Sequence, residues 1–417
     1  MDTLTRRKFL IASGVVGGGA LAAGAGAFTL WDILATADDP GRAPGDRTLV
    51  VVTLYGGNDG LATVIPYTDA AYHDARPGLA YSADQVLRLD DATGLNPALK
   101  GLHQLYGDKR LAIIRGVGYP DPDRSHFRSM DIWQTGDPER PGNTGWLGRW
   151  LDSVGGDPRL AVSFEPVLPP LLAGEFSSGA AVPVTGRRVT PALSAAAMSA
   201  LAKPSTGEPP LQARAAACFA DLVKVDEMIK DVKDGAAATA TDDDDAAATG
   251  TGGNQAPLAA QLDLVAQCVE AGVSTRVFSV SLGGFDFHAD EKAAQERILG
   301  QLDSALAAFV SRMNATERGR AVVVLVYSEF GRRVRANASE GTDHGTASNV
   351  FVLGPGVDGG RLIGEQPSLT DLDDGDLKAS MDFRDVYASA LTEVLGADPA
   401  QILDDYAGRA PTLLLSG

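Results

Sequence analysis

Cysteine is scarce in this sequence, with two residues among 417. Neither Cys218 nor Cys268 has a histidine or a second cysteine at metal-ligand spacing, which argues against a cysteine-based zinc site. A disulfide between the two is allowed outside the cytoplasm, but a free cysteine also buries well as a small apolar residue. We favour the unbridged interpretation.

Basic residues are also in deficit. Lys and Arg number 36 against 54 Asp and Glu, which gives a formal net charge of −18. Because contacts to phosphate backbones need a basic surface, we expect no nucleic-acid partner. Hydrophobic residues make up 44% of the chain, which is enough for a large core, so the composition predicts an acidic globular protein.

Strong hydrophobicity is lacking even in the long uncharged stretch near the N terminus, residues 9–31. The stretch is long enough to span a bilayer, but its glycine content makes it a poor anchor. It follows Arg6 and Arg7 of a twin-arginine motif, and a small-residue cleavage site occurs at 35–37. We expect residues 1–37 to be an export signal read by the twin-arginine translocase, with a permanent anchor as the alternative. The mature protein would then lie in the periplasm, the cell envelope or the medium.

The sequence is rich in short buried-strand patterns. Continuous β-branched and aliphatic runs occur at Thr48–Tyr55, Leu111–Val117, Val277–Leu282 and Ala321–Tyr327. Runs that are apolar on both faces are typical of parallel strands covered by helices on both sides. Helical patterns separate them, at 125–134, 145–153, 256–271, 290–314 and 382–395. The predicted fold class is therefore α/β, with a mostly parallel central sheet and helices on both faces, in a single domain from 38 to 417.

Residues 234–255 interrupt this pattern. They contain Ala, Thr and Gly repeats around four consecutive aspartates at 242–245. The aspartates lack the alternating spacing and the glycine of a calcium-binding loop. Charge runs in such a setting are typical of solvated disorder, so we predict a disordered insertion.

Polar residues follow each of the four strand patterns. Three of the five histidines, His126, His288 and His344, occur there, whereas His73 and His103 lie in ordinary surroundings. Ligands of open α/β sheets collect beyond the carboxyl ends of the strands, so we expect these polar residues to share one site.

Carboxylate and imidazole pairs are the strongest chemical signal at these strand ends. A mixed Asp and His set without thiolates suits zinc, manganese or magnesium better than copper or an iron–sulfur cluster. We predict a site for one or two divalent ions (zinc, manganese, magnesium or calcium), which would polarise an anionic ester. The predicted ligands are Asp59, Asp286, His288, Glu329, Asp343 and His344. The alternative for each glycine-flanked aspartate is that it holds a turn through its own backbone.

Candidate catalytic residues lie beside these pairs. Ser125 is predicted either to be a nucleophile, with His126 next to it, or to cap a helix that begins there. Adjacent residues do not face each other on a helix, so a hydrogen-bonded pair cannot be assumed. Arg332 and Arg384 are predicted to clamp an anion, with structural salt bridges as the alternative.

The complete motif set resembles one bacterial family of exported proteins, the domain-of-unknown-function family numbered fifteen-oh-one. The motifs are GGNDG at 56–60, RSHF at 124–127, GWLGR at 145–149, GGFDFH at 283–288, SEFGR at 328–332, GTDHGTAS at 341–348 and DFR at 382–384. That family is similar to the alkaline phosphatase and sulfatase superfamily, whose sites combine a first-strand Asp, a Ser, Thr or modified Cys nucleophile, and later Asp and His metal ligands.

The resemblance implies an alkaline-phosphatase-like fold and a role for several residues. Asp59 stands at the first-strand position, Ser125 near the nucleophile, Asp286 with its histidine at the first later pair, and His344 at the last histidine. Phe330 replaces an expected histidine. The implied function is exported, metal-assisted hydrolysis of a small phosphate or sulfate ester. The alternative is a non-catalytic envelope protein that keeps the fold with a degenerate metal site.

Overall fold

The computed structural model describes residues 46–139, 142–165, 167–182, 256–404 and 406–415, together with 30–34, 36 and 184. Most of the predicted export signal, Cys218 and the acidic insertion at 234–255 lie outside the described residues. Cys268 is buried and free. Among the helices that the structure describes, none is long and apolar enough to cross a membrane.

The strands and helices of the described chain follow the predicted alternation. The strands are β1 (Thr48–Tyr55), β2 (Val64–Ile65), β3 (Leu87–Arg88), β4 (Gly94–Leu95), β5 (Leu111–Gly118), β6 (Ala161–Ser163), β7 (Ala180–Ala181), β8 (Val277–Gly283), β9 (Val322–Ser328), β10 (Ser348–Leu353), β11 (Arg361–Ile363) and β12 (Met381–Asp382). The helices are α1 (Leu30–Leu34), α2 (Gly60–Thr63), α3 (Ala70–Ala75), α4 (Lys100–Gly107), α5 (His126–Thr135), α6 (Trp146–Ser153), α7 (Leu258–Ala271), α8 (Glu291–Asn314) and α9 (Phe383–Ser389), which continues into a π-helical segment at Ala390–Leu395.

The central sheet is almost entirely parallel. Its strand order is β11-β5-β10-β9-β1-β8-β6-β7, and β12 also pairs with β5. Every pair is parallel except those of β10, which is antiparallel to both β5 and β9. Consequently β1, β5, β8 and β9 run in the same direction, and their carboxyl ends meet at one edge of the sheet. The predicted fold class, a mixed α/β fold with a mostly parallel sheet, is confirmed.

Helices cover both faces of this sheet because alternate residues of each strand point to opposite sides. On one face, Val50 and Val52 of β1 belong to a core that includes residues of α7 and α8. On the other face, Leu49 and Val51 belong to a core that includes residues of α5, α6 and α9. Full burial of each such aliphatic side chain contributes about 1.5–3 kcal/mol. This packing fixes the strand ends that carry the polar residues.

Candidate metal centre

Three side chains from three segments converge beyond the carboxyl edge of the sheet. His126 is the first residue of α5, Asp286 follows β8, and His344 lies in the segment between β9 and β10. His126 Nε2 lies 3.0 Å from His344 Nε2 and 3.4 Å from Asp286 Oδ1. His344 Nε2 lies 3.2 Å from the same carboxylate oxygen. We call this set the His126–Asp286–His344 triangle.

The dimensions of this triangle match one face of a tetrahedral metal site. Zinc binds imidazole nitrogen and carboxylate oxygen at about 2.0–2.2 Å, which places neighbouring ligand atoms about 3.3 Å apart in a tetrahedron. The three measured separations, 3.0, 3.2 and 3.4 Å, bracket that value. Three protein donors are the usual number in catalytic zinc sites, whereas structural zinc sites have four.

Hydrogen bonds at the opposite ring nitrogens determine which atoms of the two histidines face the triangle. His126 Nδ1 donates to Glu329 Oε1 at 2.7 Å, and His344 Nδ1 donates to the Arg124 carbonyl at 2.8 Å. Since a carboxylate and a carbonyl accept, the hydrogen of each neutral ring belongs on Nδ1, and Nε2 presents a lone pair. Two lone pairs and a carboxylate oxygen this close together need a cation or a proton between them.

The surrounding charges also favour a cation or a proton within the triangle. Burial lowers the pKa of His126, but its contacts with Asp286 and Glu329 outweigh burial and raise the pKa to about 9. Burial raises the pKa of Asp286, but the contacts from His126, His344 and Arg332 outweigh it and hold the pKa well below its usual range. The site therefore favours positive charge at the centre of the triangle.

Glu329 lies beside the triangle and contacts it through His126, so its predicted role as a metal ligand remains a prediction. Its carboxylate is buried and fully engaged: Oε1 also accepts from the Gly56 N–H at 2.9 Å, and Oε2 accepts from the Ser328 hydroxyl at 2.9 Å. A carboxylate on the far nitrogen of a metal-binding histidine fixes the ring and raises its basicity. Glu329 has that position relative to His126.

Arg332 donates hydrogen bonds to several segments that surround the site. These contacts favour a structural role over the predicted anion clamp. The guanidinium is buried and donates to the carbonyls of Gly56, Gly57, Phe285 and Thr342. It also donates to Asp286 Oδ1 at 2.7 Å. An arginine with these partners cannot present a free fork to a substrate. Its charge instead supports the ionised form of Asp286.

Asp59 is not a member of the triangle, and its contacts favour the turn-holding alternative. Its carboxylate accepts from the backbone N–H groups of Leu61 and Ala62 at 3.0 and 3.2 Å, which caps α2. The second oxygen is bound by the Arg76 guanidinium, and both side chains are buried. A carboxylate that is used in this way has no position left for an ion.

His288 and Asp343 lie beside the triangle. His288 Nε2 is 2.9 Å from Asp286 Oδ1 and 3.1 Å from His344 Nε2, so it contacts two of the three members. Asp343 Oδ1 is 3.6 Å from His288 Nδ1 and accepts from Asn337 at 3.3 Å. Asp343 thus belongs to the surroundings of His288, and the predicted roles of both residues as metal ligands remain predictions.

The remaining predicted catalytic residues are Ser125 and Arg384. Ser125 is exposed and occupies the N-cap position of α5, but its side chain makes no capping hydrogen bond. Arg384 forms a salt bridge with Asp382 at 2.7 Å, which is the structural alternative considered for it. His126 was predicted to act in catalysis with Ser125, and the geometry places it among the candidate ligands instead.

Sequence reasoning missed the residues that support the triangle. Arg124, whose carbonyl orients His344, has its own side chain anchored by Asp374 and the buried Asp376. The Phe330 ring packs against the rings of His126 and His344, with centroids 4.8 and 5.1 Å apart. Both residues lie in the motifs RSHF and SEFGR, next to predicted site residues, and this position was the available signal.

The family model described as "Protein of unknown function (DUF1501)" matches residues 112–414. No curated protein matches the chain.

Several solved structures are similar to this chain. A protein in the alkaline phosphatase superfamily from Vibrio parahaemolyticus is 10% identical, with 91% of this chain and 77% of that one covered and a TM-score of 0.36. A phosphonate monoester hydrolase from Silicibacter pomeroyi is 11% identical, with 88% and 75% covered and a TM-score of 0.37. A mutant of the TAB5 alkaline phosphatase with bound magnesium is 11% identical, with 76% and 92% covered and a TM-score of 0.32. Likenesses at this level carry no argument about activity.

Proposed function

We propose that this chain, which belongs to the DUF1501 family, is a metal-dependent hydrolase of small anionic esters. The observation that carries the proposal is the convergence of His126 Nε2, His344 Nε2 and Asp286 Oδ1 with separations of 3.0–3.4 Å. Both imidazoles have the far nitrogen bound to an acceptor, which prepares them as neutral ligands. The proposed site holds one ion with three ligands, whereas the sequence predicted six ligands for one or two ions.

A divalent ion at this site would act as a Lewis acid that polarises a phosphoryl or sulfuryl oxygen. Charged groups of the chain would also determine how strongly the site attracts an anionic ester. Asp286 contributes the single negative charge of the ligand set, so a divalent ion there keeps a net positive charge. Arg332 adds a second positive charge directly behind Asp286. The N terminus of α5, which has a partial positive charge, begins at His126. These features favour an anionic group despite the acidity of the whole protein.

Ser125 is the proposed nucleophile. Its hydroxyl is exposed and precedes the ligand His126 directly in the chain. If a covalent serine ester forms, Ser125→Ala should lower kcat by several orders of magnitude and leave metal binding unchanged. Wild-type kcat in that variant would eliminate Ser125 as the attacking group.

One observation favours the non-catalytic alternative. Asp59 occupies the first-strand position where the resemblance implies a metal ligand, yet it is neutralised by Arg76. A protein that replaced an ion by a guanidinium at one position would be expected to have weakened the rest of the centre as well. Under this alternative the triangle would hold a proton and no metal.

Metal content decides between the two functions. Protein purified without chelators should contain about one equivalent of a divalent metal, and added zinc, manganese, magnesium or calcium should raise the Tm of the stripped protein. His344→Ala should lose that metal and the hydrolysis of aryl phosphates and sulfates. His103→Ala is the matched control, because the His103 side chain hydrogen-bonds to the Arg88 carbonyl and does not belong to the triangle. A metal-free wild type whose Tm does not respond to any of these ions would support the non-catalytic function.

Export by the twin-arginine pathway is part of the same proposal. The motif with Arg6 and Arg7 and the uncharged stretch at 9–31 support it. Replacing both arginines by lysine should retain the protein in the cytoplasm, as measured by cell fractionation. Normal export of that variant would exclude this pathway.

A further inference from the structure

A cavity of about 360 Å³ lies next to the triangle. Its walls include the aromatic residues Tyr119, Trp133 and Phe330 and the aliphatic residues Leu377 and Met381. The volume falls within the usual range for small-molecule sites, about 300–1,000 Å³, and an apolar lining is typical of them. None of the roles assigned so far uses this space.

Phe330 connects the cavity to the triangle. Its ring is one wall of the cavity and also packs against the rings of His126 and His344. Thr346, two residues after His344, is another part of the wall. The cavity and the triangle therefore have the Phe330 ring as a common neighbour.

Trp133 is a nearly buried wall residue of this cavity. Its Nε1–H has no hydrogen-bond partner among the described residues, but the nitrogen has almost no accessible surface. The same holds for Trp146 and Trp150, neither of which lines the cavity. Trp133 therefore contributes to the cavity as an aromatic wall and not as a hydrogen-bond donor.

The charges around the cavity limit what it can hold. Three carboxylates, Asp121, Asp373 and Asp382, line it, and the last of these is paired with Arg384. One ammonium group, that of Lys378, also lines it. The ammonium group is paired with Asp371. A second anionic group would therefore be disfavoured there, whereas an uncharged one would not.

We propose that this cavity binds the organic group of the ester substrate, and that this group is uncharged and of aryl size. The placement of the ester's anionic group at the triangle rests on the proposed function, whereas the binding of an organic group in the cavity does not. Aromatic walls favour flat rings, which pack against them in offset or edge-to-face arrangements.

A neutral probe tests the cavity independently of the metal. We expect 2-naphthol, measured by titration calorimetry, to bind the stripped and the metal-loaded protein alike. Ala379→Trp, which fills the cavity from an exposed wall position, should weaken this binding at least tenfold. Ala315→Trp is the matched control, because Ala315 is exposed at the end of α8 near the opposite edge of the sheet.

Ester hydrolysis then links the cavity to the proposed function. Ala379→Trp should lower kcat/KM at least tenfold for 2-naphthyl phosphate and leave methyl phosphate hydrolysis unchanged. An equal effect on both esters, or no binding of 2-naphthol to the wild type, would overturn the inference and leave the proposed function standing. Absence of hydrolysis of either ester, with 2-naphthol binding that Ala379→Trp abolishes, would overturn the proposed function and support the cavity.

Discussion

Two clusters of charged side chains lie close to the same edge of the sheet, and their negative charges are balanced in different ways. The buried ionic cluster consists of Asp59, Arg76 and Glu291, all of which are nearly inaccessible to solvent. The His126–Asp286–His344 triangle is partly exposed, with the Asp286 side chain at 46%. Arg332 and Glu291 both contact Thr342, so the two clusters share one supporting segment.

The difference lies in the source of the positive charge. In the buried ionic cluster the chain provides it, because Arg76 binds Asp59 and a proton remains on Glu291. Burial and the neighbouring Asp59 charge raise the pKa of Glu291 to about 9. In the triangle, the chain arranges two imidazole lone pairs around a carboxylate oxygen and leaves the centre for a cation. Accordingly, the first cluster supports the fold, whereas the second is suited to bind.

The buried ionic cluster should be the more sensitive to loss of its cation. Arg76→Met would leave Asp59 buried without its partner and remove the hydrogen bonds to the carbonyls of Arg333 and Val334. Breaking a buried ion pair costs about 3–5 kcal/mol, so we expect a loss of this size in the free energy of unfolding, measured by urea denaturation. Arg88→Met, at an exposed arginine, is the control and should cost less than about 0.5 kcal/mol. A loss below about 1 kcal/mol at Arg76 would mean that the cluster relaxes and admits water.

The proton on Glu291 predicts a specific pH dependence. Both folded and unfolded chains are protonated there below the ordinary value of 4.5, and the unfolded chain loses its proton first as the pH rises towards about 9. Stability from this group is therefore complete at low pH and falls over that window, by at most about 1.4 kcal/mol per pH unit. Glu291→Gln cannot titrate and keeps an acceptor for Thr342. Urea denaturation at pH 6 and pH 8 should show a smaller decline in the variant, and equal declines would place the proton elsewhere.

The sequence predicted the sheet well because its strands are continuous apolar runs. Thr48–Tyr55 has the predicted bounds, β5 and β8 end one residue later than predicted, and β9 is shifted by one residue at both ends. The direction of β10 was not predictable, because an apolar run contains no information on whether its neighbours are parallel to it. The apolar character of these strands reflects their burial, whereas pairing depends on the whole topology.

The site was predicted less completely, because the sequence does not show which partner a carboxylate has. Asp59 and Glu329 follow strands in glycine-containing motifs, as Asp286 does. Only the fold shows that the first meets Arg76 and the second meets His126. Arg76 itself belongs to no motif, and its role depends on contacts with residues 17 and 258 positions away.

Glu329 provides a test of how strongly the triangle depends on its supports. In Glu329→Gln the amide keeps one oxygen for the Gly56 N–H but can no longer offer a charged acceptor to His126 Nδ1. Loss of such a partner typically costs about 10–100-fold in metal affinity, and we expect that range in a zinc competition assay with a chromophoric chelator. Glu165→Gln is a suitable control, because Glu165 is buried but hydrogen-bonds to Ser279 and Tyr55 instead of the triangle. Unchanged affinity in Glu329→Gln would mean that His126 is not a ligand.

Asp343→Asn should have the smallest effect on zinc affinity among these substitutions. It compares an exposed carboxylate beside a histidine with the buried carboxylate of Glu329. Like Glu329, Asp343 places a carboxylate near the Nδ1 of a histidine, but its side chain is 60% exposed and the separation from His288 is 3.6 Å. Exposed pairs with such geometry contribute little, about 0–1 kcal/mol, because water screens them. We therefore expect zinc affinity in the same competition assay to change less than fivefold. A loss as large as that of Glu329→Gln would instead show that Asp343 binds the ion or fixes His288 as a fourth ligand, and the site would then be larger than the triangle.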